Sequence, residues 1–67
     1  MRAQIGDTVK SKHSKDEFVV TREEVDENGT QWVWRCECPD PQSIDCMFSA
    51  CSYGMPDTNF EIIKRKN

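Results

Sequence analysis

The residues best equipped for chemistry are four cysteines, Cys36, Cys38, Cys46 and Cys51, gathered within sixteen positions of a 67-residue chain. Four thiolates suffice for a tetrahedral structural zinc. Metal knuckles, however, are built on Cys-x-x-Cys turns that bring two sulfurs to one ion, whereas Cys36-x-Cys38 falls on an apparent strand. Side chains two positions apart there share a face but stand about 7 Å apart, awkward for one metal unless the strand bulges. Three readings remain open: zinc on all four cysteines, a disulfide, and thiols packed as small apolar groups. The last is preferred, so no cofactor is expected. His13 lies in a polar loop and reads as solvated.

Aromatic side chains are the next resource. Trp32, Trp34, Tyr53 and Phe60 can line a cleft of the kind that takes proline-rich, methylated or nucleobase ligands. A chain this short also needs its large side chains for a core, and Trp34 in particular is expected there. Charge offers two further surfaces. Lys10, Lys12, Lys64, Arg65 and Lys66 can form a basic patch able to make weak phosphate contacts. The net charge of −3 with 31% charged residues favours a plainly solvated surface instead. Asp16, Glu17, Glu23, Glu24, Asp26 and Glu27 make an acidic belt broken only by Arg22, suited to a basic protein surface or to keeping a hairpin tip soluble. Catalysis finds little support. The chain has one histidine, no glycine-rich phosphate loop and no nucleophile signature, so it is not expected to be an enzyme.

These groups must be positioned by short strands. In the stretch Gln31 to Cys38, Trp32, Trp34, Cys36 and Cys38 alternate with Val33, Arg35 and Glu37, which predicts a strand with the first set inward and the second outward. Asn28-Gly29 just before it signals a hairpin with an earlier strand over residues 17–25. A helix over 16–27 competes, but Val19, Val20 and Thr21 are three β-branched residues in a row and weigh against it. Gly6 opens a first strand ending near Lys12, with Ile5, Val9 and Ser11 inward. Pro39-Asp40-Pro41 ends the tryptophan strand, Ile44 to Ala50 is expected as a fourth, Ser52 to Asp57 as a loop, and Phe60 to Lys64 as the last. Five short strands with strong turns predict one all-β domain over 1–67, a small barrel or partly open sheet. No apolar run approaches the ~20 residues of a membrane helix, and Met1 to Ile5 leads into no signal-peptide core, so no membrane contact and a cytoplasmic location are expected.

The opening Gly6-Asp7-Thr8-Val9-Lys10-Ser11-Lys12, followed by Phe18-Val19-Val20, resembles that of small uncharacterised bacterial and phage proteins with an SH3-like barrel, which read Gly-Asp-x-Val-x-Leu-Lys-Ser-Gly-Gly before a short hydrophobic strand. Gly6, Asp7, Val9, Lys12 and Val20 match without a gap, and Trp34 sits where that family often carries a third-strand tryptophan. The same Gly-Asp-x-Val opening is similar to those of KOW and Tudor-like modules. Ser11 stands for the leucine and Ser14-Lys15 for the paired glycines, which leaves the first loop less free to adopt positive φ. Cys38 to Asn59 has no counterpart. The resemblance implies a five-stranded SH3-like barrel and a non-catalytic binding or regulatory module of bacterial or phage origin. The expected ligand is a protein, met by the aromatic strand face and the loops from Cys38 to Asn59. The alternatives are weak nucleic-acid binding through the basic ends, a phage product blocking a host protein through its acidic face, and a zinc-stapled domain. Small size leaves a homodimer open.

Overall fold

The computed structural model describes residues 2–47 and 52–66, Met47 by its backbone alone. Six strands run in the order β1 (Thr8–Ser11), β2 (Glu17–Val19), β3 (Arg22–Val25), β4 (Gln31–Cys36), β5 (Ser52–Pro56) and β6 (Phe60–Lys64). A single helical turn, α1 (Ile44–Met47), precedes β5, and a 3-10 turn over Asp57–Asn59 joins β5 to β6. The strands form two three-stranded antiparallel sheets, ordered β2-β1-β6 and β3-β4-β5.

All-β is therefore right, but the five-stranded SH3-like barrel is corrected: six strands lie in two separate sheets and do not close into a barrel. The expected strand over 17–25 divides at Val20-Thr21. Gly6 N–H donates to the Val20 carbonyl and Val20 N–H to that of Asp7, whereas Thr21 donates from both its N–H and its hydroxyl to the Trp34 carbonyl. One residue thus ends in the first sheet and the next begins in the second. The predicted strand from Ile44 to Ala50 is a helical turn where it is described, and Phe48, Ser49 and Ala50 lie outside the described residues. The predicted loop over 52–57 holds β5, because Gly54 and Pro56 lower strand propensity but pairing with β4 and burial of Met55 override it.

The core lies between the sheets and consists of Ala3, Val9, Phe18, Val20, Val33, Met55 and Phe60, with Ile62 packed against it. Val9 and Ser11 point inward as expected, while Ile5 is exposed. Over residues 31–34 the faces are reversed from the prediction, Val33 being 0% and Gln31 3% exposed while Trp32 and Trp34 are half-buried on the other side, whereas Cys36 is buried and Arg35 and Glu37 are exposed as expected. Gln31 tolerates burial because its amide is satisfied, Oε1 accepting from Ala3 N–H and Nε2 donating to the Ala3 carbonyl and to Glu23. Alternation alone supplies a period and leaves open which face is inside.

Turn chemistry fixes the ends. Asp26 accepts from Asn28 and Thr30 N–H through Oδ1, and Gly29 takes φ +84°, which closes the β3–β4 hairpin. In the first loop Ser11 Oγ accepts from His13 and Ser14 N–H, and Lys15 itself adopts the left-handed conformation at φ 65°. Asp7, 1% exposed, accepts from Gln4 N–H, Lys66 N–H and Arg65 Nη1, and so ties the opening turn to the tail behind β6.

Candidate functional site: an indole face on the second sheet

Trp32 and Trp34 stand side by side on the outer face of β4, ring centroids 6.4 Å apart and planes inclined by 31°. They project together because they are two positions apart on one strand. Their cross-strand neighbours are Glu24 and Pro56 beside Trp32, and Arg22 and Gly54 beside Trp34. Gly54 leaves room where any Cβ would strike the face of the Trp34 pyrrole ring, so that indole lies down across β5. The Trp32 indole N–H donates to Asp26 Oδ2 at 3.0 Å and anchors the second ring to the hairpin. The rings, with Glu24, Val25 and Asp26, line a groove of about 330 Å³.

One end of this face is closed by the segment after β4. Arg22 Nη1 donates to the Gln42 and Ser43 carbonyls, Arg22 Nη2 pairs with Glu24 at 2.7 Å, and Gln42 Nε2 donates to the Thr21 carbonyl. A disulfide joins Cys38 to Cys46 and closes the same segment on itself, while α1 packs on β4 and β5. Cys36, on the indole side of β4 by alternation, is buried at that end. The other end is the hairpin tip. Asp26 is held ionised there: the Trp32 indole N–H, then the Thr30 and Asn28 N–H groups, keep its carboxyl below the usual carboxylate range against the opposing effect of desolvation.

The four aromatic residues singled out from the sequence are not brought together. Trp32 and Trp34 share the groove, Phe60 belongs to the core, and Tyr53 packs edge-on against Phe18 and lines a separate hollow of about 190 Å³ with Ser14, Asp16 and Arg35. The basic residues lie on or beside the first and last strands, which pair as expected, but several are engaged by other groups. Lys10 is flanked by Glu17 and Glu61 across β1, Arg65 is bound to Asp7, Lys66 covers Gly6, and Lys12 and Lys64 are exposed. Of the three cysteine readings, the preferred one of plain thiols is corrected for Cys38 and Cys46, which are bonded to each other; of the four cysteines named as zinc ligands, Cys36 stands apart from that bond and Cys51 lies outside the described residues. Among the described residues no group of three His, Cys, Asp or Glu side chains is placed to hold a metal ion. The groove-forming role of Glu24, Asp26 and Gly54 escaped sequence reasoning. A Trp-x-Trp strand following an acidic strand and a hairpin turn is the signal that carried it.

No family model, curated protein or solved structure matches this chain. No helix among the described residues is long and apolar enough to cross a membrane.

Proposed function

We propose that the chain is a small non-catalytic binding module that docks a protein segment on the Trp32–Trp34 face. The observation that carries this reading is the placement of both tryptophans outside a core that smaller residues fill. Both rings are half-buried rather than part of the core, and tryptophan is among the residue types most enriched where a partner supplies binding energy. Both rings are also fixed in advance, one by Asp26 and one by the contour of Gly54, which lowers the ordering cost of association.

Nucleic-acid binding through Lys10, Lys12, Lys64, Arg65 and Lys66 is the weaker reading, because Lys10 sits between two carboxylates and Arg65 serves Asp7. A cytoplasmic setting belongs to the proposal as well. The Cys38–Cys46 disulfide is the feature that argues for an oxidising compartment instead, and thiol labelling in intact cells decides between them.

The test is affinity capture from host lysate with and without nuclease, comparing the native chain with Trp32→Ala and Trp34→Ala. A protein retained by the native chain, lost with the variants and indifferent to nuclease supports the proposal. Retention by folded variants, or release by nuclease, refutes it.

A further inference from the structure

Resting on the docking reading above, we propose that the occupant of the indole face is a basic polypeptide segment, with an arginine or lysine side chain lying across Trp32 and Trp34 and its charge beside Glu24 and Asp26. Three features of the groove lead there. First, the indole N–H of Trp32 is already committed to Asp26 and one face of the Trp34 pyrrole ring lies on Gly54, which leaves the remaining ring faces as the main surface on offer. Ring faces carry the negative part of the aromatic quadrupole and attract cations.

Second, the rim is acidic. Glu24 lies opposite Trp32 in the register, and Asp26 remains a carboxylate because three N–H groups stabilise its charge. Third, no lysine or arginine lines the groove among the described residues. Arg22, the nearest cation on this face, is spent on two loop carbonyls and on Glu24. The face is therefore apolar at its floor, and at its lip the two carboxylates outnumber the one guanidinium, which is paired with Glu24.

Such a surface selects against two other ligand classes. A nucleic-acid phosphate would meet Glu24 and Asp26 as like charges. A neutral proline-rich segment would stack on the indoles but strip water from two carboxylates without replacing it. A long cationic side chain does both tasks at once, since its methylene stem covers the rings while its head group meets the carboxylates.

The experiment follows the two indole N–H signals of the full chain by NMR during titration with three blocked peptides: alternating glycine and arginine, its citrulline counterpart of the same shape without charge, and a neutral proline-rich peptide. The arginine peptide is expected to shift both signals to saturation, with the citrulline peptide about tenfold weaker. Glu24→Gln should weaken the arginine peptide roughly threefold, and added salt should weaken it further. Equal or tighter binding by the citrulline or proline-rich peptide would overturn the assignment of a cation while leaving the docking face in place. Indole signals unmoved by the arginine peptide overturn it too. The docking reading itself falls separately, if lysate capture survives the loss of both tryptophans.

Discussion

Gly54 decides where Trp34 lies. Because a methyl group there would collide with the indole, Gly54→Ala should lift the ring off β5 and cost about 1–3 kcal/mol, the range for overpacking, with a changed near-UV circular dichroism band. An unaltered band and melting temperature would show that the ring does not rest on that residue. Asp7 is the other residue on which much depends. The Lys66 and Gln4 N–H groups and then the Arg65 guanidinium hold its carboxyl below the usual range, opposed by desolvation. A carboxyl whose folded value is depressed adds stability that is fully present above the unfolded value of about 3.9 and is lost as pH falls through the lower folded value. Melting temperature should therefore hold between neutral pH and the unfolded value and drop below it, and Asp7→Asn should lower it at neutral pH while flattening that acid limb. The Gly6-Asp7 turn was legible in the sequence. Its partners 58 and 59 residues away were not, because nothing local ties Asp7 to Arg65 and Lys66.

At the scale of elements, β4 shows how far a pattern reaches. The strand and its hairpin were legible from Trp32-Val33-Trp34 and Asn28-Gly29, since period and turn chemistry are local properties. Which face would be buried was not, and the reversal is testable by placing one charge on each side. Val33→Lys buries an ammonium group among Val9, Val20 and Met55 and should unfold a domain of this size, whereas Trp32→Lys points toward Glu24 and Asp26 and should leave a cooperative melt. If Trp32→Lys unfolds the chain and Val33→Lys does not, the described faces are wrong. The division of the 17–25 run into β2 and β3 belongs here too. Every residue from Phe18 to Thr21 suits a strand, and only the competing partners Asp7 and Trp34 make the chain change sheets between Val20 and Thr21.

For the molecule as a whole, the Cys38–Cys46 disulfide closes the segment that walls one end of the indole face. Opening a loop with a sequence separation of 8 should cost about 2.5 kcal/mol by chain entropy, seen as a lower melting temperature in reductant or in Cys46→Ser. No change in melting would mean that the segment is held by Arg22 and Gln42 alone. The sequence by itself determined the all-β class, the β3–β4 hairpin, the opening turn at Gly6-Asp7 and the last strand, because each rests on propensities and spacings within a few residues. Only the tertiary structure decided the two-sheet arrangement, the outward tryptophans, the pairing of cysteines and the acidic groove. Those depend on which distant side chains fill a narrow core first: with Val9, Phe18, Val33, Met55 and Phe60 between the sheets, the two indoles had nowhere to go but outward.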